Sequence, residues 1–191
     1  MKPRGIDTAK VEKIIRELLL ALGENPNREG LKDTPRRVAE FYKEALAGNF
    51  EDPRRILKLH YEDEQHEEIV LIKDIPVYSL CEHHLLPFFG KAHIAYIPRK
   101  ERLLGISKLA RLVETYCRRL QLQERITQQV AEDIMAVAKP YGAMVVIEAE
   151  HFCMTMRGIK KPGARVITSA VKGVFASDPR TRSEALSLIN R

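Results

Sequence analysis

Apolar residues recur every third or fourth position in some stretches of this chain, and alternate or run together in others. The first pattern marks amphipathic helices and the second strands. Over residues 7–23, Val11, Ile14, Ile15, Leu18, Leu19 and Leu22 fall on one helical face, and Gly23 with Asn25-Pro26-Asn27 ends the helix. A second helix opens at Thr34-Pro35, with Thr34 as N-cap and Pro35 at the first helical position. Val38, Phe41, Tyr42 and Ala45 form its stripe and Gly48 closes it. Ser107 caps a third helix that reaches about Leu120, with Leu109, Leu112, Val113, Tyr116 and Cys117 on one face. A fourth runs from about Gln123 to Ala138, with Ile126, Val130, Ile134 and Val137 inward, and Pro140-Tyr141-Gly142 ends it. Thr181 and Glu184 have the spacing of a capping box for a short terminal helix.

Strand character starts at Ile69–Ile72 and resumes at Ile75–Tyr78. Leu85–Gly90 reads as a turn with a hydrophobic wall, followed by a strand from Lys91 to Ile97. Ala143–Ala149 is a nearly continuous apolar strand that leads to His151 and Cys153, and Val166–Phe175 is a last strand. Helices therefore separate strands that arrive in hairpin-like pairs. That order predicts an α+β fold with an antiparallel sheet. We divide the chain into an N-terminal helical appendage, residues 1–65, and a catalytic domain, residues 66–191.

Composition narrows the class. The chain has 191 residues, 45% of them hydrophobic and 30% charged, which suffices for one core plus an appendage. No apolar run has the length of a membrane span. With three cysteines and no export signal, a disulfide framework is not expected, and the cytoplasm is the expected location. A net charge of +6 fits simple solubility or an anionic partner. Position favours the partner: Arg99–Arg125 holds eight basic residues against three acidic, and Arg157–Arg165 holds four and none. Aromatic residues make up only 6% and Trp is absent, so stacking platforms for nucleic acid are scarce. A phosphorylated small molecule is the better match. The run Glu62–Glu68 reads as a solvated loop with His66 on the surface.

The candidate chemistry sits at two short sites, Cys81-Glu82-His83-His84 and His151-Phe152-Cys153. Cys81 and His84 are spaced so that a turn would aim both at one ion. Cys81, His84 and Cys153 make three zinc-type ligands, one fewer than a closed structural site needs. His83 and His151 remain as proton carriers. In extended backbone His83 and His84 point apart, and on a strand His151 and Cys153 share a face. A bound metal lowers the pKa of water, so this composition is that of a hydrolytic site. Glu82 could orient a histidine or simply face solvent. His93 and Cys117 read as structural. Ser107, Lys108 and Arg111 offer a helix start and two cations to phosphate, and Arg157–Gly163 is a basic loop containing Lys160. Gln123-Glu124 opens the fourth helix, and a carboxylate there could hold a guanine edge.

These blocks resemble the GTP cyclohydrolase I family. The likeness rests on Ser79–Gly90, Gly105–Arg111, Gln121–Gln129 and His151–Gly158, in the family's order and across most of residues 70–175. The N-terminal helices match loosely; Ile106 replaces a leucine, and Ala164-Arg165-Val166 is a variant. The resemblance implies zinc on Cys81, His84 and Cys153, and catalytic roles for His83 and His151. It implies that Glu124 holds guanine with Gln123 beside it, and that Ser107, Lys108, Arg111, Arg157 and, less directly, Lys160 surround the ribose and triphosphate. The implied reaction hydrolyses GTP at C8, releases formate and yields 7,8-dihydroneopterin triphosphate. The implied fold is the tunnelling fold, an antiparallel four-stranded sheet with two helices, assembled as a homodecamer with active sites between subunits. Neither membrane nor nucleic acid is an expected partner. The rival readings are a tunnelling-fold nitrile reductase, which has no use for His83-His84 with a distant Cys153, and a basic zinc-holding scaffold that binds nucleic acid. A zinc deaminase lacks its paired motifs here.

Overall fold

The computed structural model describes residues 5–61, 66–99 and 102–191. Residues 62–65 of the acidic run lie outside that set, and His66 is exposed. Helix α1 (Thr8–Ala21) is shorter than its apolar period, because Asp7 caps it by accepting from the Lys10 N–H. None of its residues is buried, and it packs against α2 (Thr34–Ala45). The start of α2 is shifted by one residue from the sequence reading. Asp33 is the N-cap, because the Arg37 N–H already bonds the Asp33 carbonyl, and Thr34 lies inside the helix.

Gly48 does more than stop that helix. It sits in a 3-10 turn, Ala47–Phe50, and its N–H donates to the Arg118 carbonyl at 3.0 Å. A Cβ there would meet the Thr115 carbonyl oxygen at 2.0 Å, so only glycine permits the approach. A second 3-10 turn, Pro53–Arg55, places Arg54 on the buried Asp133 carboxylate at 2.8 Å, which also accepts from the Tyr116 hydroxyl at 2.6 Å. Strand β1 (Leu59–Tyr61) then pairs with β4 (Arg102–Leu104).

The main sheet runs β5-β2-β3-β6-β7. Its body is four antiparallel strands: β2 (Val70–Cys81), β3 (Pro87–Ile97), β6 (Gly142–His151) and β7 (Arg165–Gly173). The two stretches expected at residues 69–72 and 75–78 are one strand with an irregularity, where Asp74 takes φ 59° between the Ile72 and Ile75 pairings. Strand β3 begins at Pro87 rather than Lys91, because Phe88 and Phe89 already pair with Ser79 and Tyr78. Two-residue β5 (Leu120–Gln121) runs parallel to the end of β2, where a helix end was expected.

Helices α3 (Ile106–Cys117) and α4 (Gln123–Ala138) cover one face. Gly105, not Ser107, is the N-cap of α3, since the Lys108 N–H closes onto the Gly105 carbonyl at 2.8 Å. Left-handed Lys139 ends α4, and the following Pro140 cannot resume it. The chain finishes with the short helices α5 (Phe152–Thr155) and α6 (Val174–Ser177), then α7 (Pro179–Ile189). The last strand stops at Gly173, which takes φ 60°, before the expected Phe175. The capping box does not form. Asp178 caps α7 by accepting from the Arg180 and Thr181 N–H groups, and Thr181 lies within the helix. The result is the α+β layout expected: four antiparallel strands with two helices on one face.

The core lies between sheet and helices. Leu109, Leu112, Val113, Ile126, Val130 and Ile134 meet Val77, Phe88, Ala92, Ile94, Val145 and Ile147 there. Met144 and Val146 point the other way, into a smaller cluster with Phe175 and Ala185. Both faces of β6 are thus covered, which is why its sequence runs apolar without alternation. Cys117 is a core residue whose thiol is pushed up to about 12 by burial. His93 is buried, its Nδ1 accepts from the Asp74 N–H, and burial lowers its pKa. Gly90 marks the closest approach in the sheet: a Cβ there would lie 1.9 Å from the Glu148 carbonyl oxygen and 2.6 Å from the Ala149 Cα. We predict that Gly90→Ala costs at least about 2 kcal/mol and lowers the thermal midpoint by roughly 5 °C or more. An unchanged melting curve would contradict that packing.

Candidate active site

The end of β2 folds into a tight turn before β3 begins. The Cys81 N–H donates to the Leu86 carbonyl at 2.8 Å, and the Leu85 and His84 N–H groups donate to the Cys81 carbonyl at 2.9 and 3.3 Å. Left-handed Leu85, at φ 55°, reverses the chain. This closure sets Cys81 Sγ 3.9 Å from His84 Nδ1. Backbone here is turn, not extended, so the opposite-sides expectation for extended backbone does not apply; the His83 and His84 rings lie edge to face, with planes at 87° and centroids 6.2 Å apart.

Cys153 reaches the same place from a different element than expected. Strand β6 stops at His151 and Cys153 belongs to α5, so the same-face rule for a strand does not apply. The ligand atoms of Cys81, His84 and Cys153 nevertheless lie within 4.8 Å of one another. Cys81 is buried, Cys153 half-buried and His84 exposed. Two sulfurs and one imidazole are a zinc-type donor set. With a Zn–S bond of about 2.3 Å, neighbouring ligands of a tetrahedron stand roughly 3.5–3.8 Å apart, close to the Cys81–His84 spacing. Burial, then Cys81 beside it, holds the Cys153 thiol above its ordinary pKa. A divalent cation between the two sulfurs would remove that repulsion.

Glu82 takes neither of its two expected roles. Both its oxygens bind Arg125, at 2.5 and 3.0 Å, which holds the carboxyl below its ordinary pKa. The Glu82 N–H also donates to the Gln121 carbonyl at 3.1 Å. Sequence reasoning passed over Arg125, since an arginine in a helical first turn carries no signal by itself.

His151 ends β6 and stacks on Phe88, with ring planes 6° apart and centroids at 4.5 Å. Its Nε2 lies 2.8 Å from Gln123 Oε1. Burial lowers the His151 pKa, and the nearby Glu124 charge opposes that shift. Glu124 is exposed at the start of α4, while Gln123 beside it is buried and turned inward.

The anion candidates are distributed. Arg157 donates to His84 Nε2 at 3.1 Å. Lys160, at φ 47°, and left-handed Gly158 and Gly163 shape the exposed basic loop. Ser107 is exposed on α3. Lys108 and Arg111 line a polar cavity of about 450 Å³ with Arg55, Lys58 and Arg118. Arg55 and Lys58 were not singled out in the sequence, because nothing local marks Arg54–Lys58 as facing α3. An apolar cavity of about 690 Å³ lies between α2, β2 and α3, lined in part by Phe41, Tyr78 and Phe89. Neither cavity is lined by Cys81, His84, His151 or Cys153. Among the described residues, no helix is long and apolar enough to cross a membrane.

Comparison with known proteins matches this arrangement to one family. The sequence model described as GTP cyclohydrolase I covers residues 11–190, so the match includes the N-terminal helices that looked loosely related. The GTP cyclohydrolase 1 of Carboxydothermus hydrogenoformans is 60% identical over 184 residues, 96% of this chain and 95% of that one. That of Clostridioides difficile is 58% identical over 184 residues, 96% and 97% of the two chains. That of a Geobacillus species is 59% identical over the same length, again 96% and 97%. At this level of identity along nearly its whole length, the chain belongs to the GTP cyclohydrolase I family of enzymes.

Proposed function

We propose that this chain is a zinc-dependent enzyme that hydrolyses GTP at C8, releases that carbon as formate and forms 7,8-dihydroneopterin triphosphate. GTP cyclohydrolase activity follows from the family and its named relatives. The observation that carries the finer reading is the meeting of Cys81, His84 and Cys153 within 4.8 Å of one another, with His83 next to His84 and His151 two residues before Cys153 in the chain. Three protein ligands leave one position for water, the pattern of a catalytic rather than a structural site.

Zinc held by Cys81, His84 and Cys153 would supply a hydroxide-like nucleophile near neutral pH. The remaining roles fall to side chains. His83 and His151 move protons to and from the purine nitrogens as C–N bonds of the cyclic amidine break. Glu124, exposed at the head of α4, accepts the N–H groups of the guanine edge. Ser107, Lys108, Arg111, Arg157 and Lys160 hold the ribose and triphosphate, which anchor the substrate and are not cut. His84 turns Nδ1 toward Cys81, and a ring that ligates through Nδ1 keeps its proton on Nε2. Arg157, which here donates to that same Nε2 at 3.1 Å, would then be released toward the substrate.

The site is completed by neighbouring copies in a homodecamer. Two observations support this. Neither of the two cavities described above brings the anion candidates Lys108 and Arg111 together with Cys81, His84 and Cys153. Among the described residues, β7 has no outer neighbour and β2 has one only at Leu80 and Cys81. Open edges of this kind accept strands from another copy. We assign residues 1–65 to a helical appendage and 66–191 to the catalytic domain, and place the enzyme in the cytoplasm.

Protein incubated with GTP should yield formate and a pterin that fluoresces after oxidation, both lost on chelation and restored by zinc. A folded, zinc-loaded oligomer that yields neither would refute the reaction. Glu124→Ala should raise KM for GTP by about tenfold or more, the loss of a charged hydrogen bond; unchanged kinetics would remove Glu124 from guanine recognition. Cys153→Ser should lose zinc and turnover together, whereas His83→Ala should keep about one zinc per chain and lose about 10²-fold or more in kcat. Metal loss from His83→Ala, or a fully active, metal-bound Cys153→Ser, would break the ligand assignment.

A further inference from the structure

We propose that Gln123 is a positioning residue that fixes which nitrogen of His151 exchanges protons during the reaction. This departs from the guanine-side role that its neighbour Glu124 implies for it, and it rests on the reading of His151 as a proton carrier. Gln123 is the first residue of α4 and only 1% exposed. Its side-chain nitrogen lies 2.9 Å from the Ile147 carbonyl, 3.0 Å from the Val166 carbonyl and 3.1 Å from Thr168 Oγ1. Backbone carbonyls only accept, so the group facing them must be the NH₂.

The hydroxyl pair alongside points the same way. Thr127 Oγ1 donates its one proton to the Gln123 backbone carbonyl at 2.8 Å. The 2.6 Å contact between Thr127 Oγ1 and Thr168 Oγ1 must then take the Thr168 proton. Thr168 is left as an acceptor toward Gln123. Turning the amide over would set its oxygen against two carbonyl oxygens, so the hydrogen-bond network admits one orientation. The atom that meets His151 Nε2 at 2.8 Å is therefore an oxygen. An oxygen accepts, so Nε2 carries a hydrogen. The opposite tautomer would oppose two lone pairs at a half-buried contact.

The consequence for the chemistry is specific. Phe88 fixes the plane of the His151 ring and Gln123 its Nε2 corner. Nδ1 is then the nitrogen that works. As a base, neutral His151 takes a proton at Nδ1; as an acid, it gives that proton to a purine nitrogen and returns to the neutral Nε2–H form. Nothing crosses the Gln123 contact in either direction.

The test uses the zinc-loaded, full-length oligomer. Gln123→Met keeps the length and removes the acceptor. It should lower kcat for GTP about 10–100-fold, the usual cost of losing an orienting partner, with KM within about twofold. A guanine-binding Gln123 would instead raise KM, and that result, or an unchanged kcat, overturns the inference. Solid-state nitrogen-15 NMR of the unmutated protein with labelled histidine rings gives a second readout that needs no variant to fold, with the His151 signal assigned through His151→Ala. Neutral His151 should show a protonated Nε2 and a bare Nδ1; the reverse tautomer overturns the inference. Wild-type protein that makes no formate from GTP would defeat the proposed reaction itself, whereas normal wild-type turnover with either adverse result defeats only the role of Gln123.

Discussion

The register of β3 is the constraint on which the site depends. This one strand pairs with β2 on one side and β6 on the other, and Phe88 stands opposite both Ser79 and His151. Cys81 lies two residues beyond Ser79, and Cys153 two residues beyond His151. The shared partner therefore brings two motifs about 70 positions apart in the chain to one end of the sheet. A slip of one residue would shift one motif by about 3.3 Å and turn every side chain to the opposite face. Gly90 guards that register, since its missing side chain lets β3 and β6 approach at the Glu148 carbonyl.

The first turn of α4 braces both halves of the site. Arg125 grips Glu82 inside the turn that carries Cys81 and His84, and Gln121 just before α4 accepts the Glu82 N–H. Gln123 grips His151 at the end of β6. Gln121, Gln123 and Arg125, at alternate positions, thus hold the Cys81–His84 turn and His151 against one helix. That helix is itself seated on the sheet through Ile126, Val130 and Ile134. Two turns further along, buried Asp133 anchors the N-terminal segment by taking Arg54 and also holds Tyr116. Arg119 adds bonds to the Gly48 and Glu51 carbonyls, so residues 47–55 are fastened to α3 and α4.

Much of this was legible in the sequence where a periodic pattern met a decisive residue. Gln123–Ala138 shows a helical apolar stripe bounded by Pro140, and the observed α4 has those limits. The antiparallel sheet followed from paired apolar runs. Helix starts were less legible: Thr34, Ser107 and Thr181 have good cap chemistry, but Asp33, Gly105 and Asp178 take the position because the chain enters each helix one to three residues earlier. The site divided similarly. Cys81, His84 and Cys153 are rare residue types in two short motifs, and they converge. Cys153 lies on α5 rather than a strand, because strand pairing of β6 with β3 ends at His151. Arg125 and the inward turn of Gln123 depend on partners 43 and 28 positions away, and no local pattern encodes such contacts.

In the proposed enzyme the register of β3 would build a three-ligand zinc site from two distant motifs and leave a fourth position to solvent. X-ray absorption at the zinc edge of the metal-loaded protein tests it most directly. The expected shell has two sulfurs near 2.3 Å, one imidazole nitrogen at about 2.0–2.1 Å and one further light atom that exchanges with added ligands. A shell without two sulfurs, or one closed by a fourth protein ligand, would contradict it.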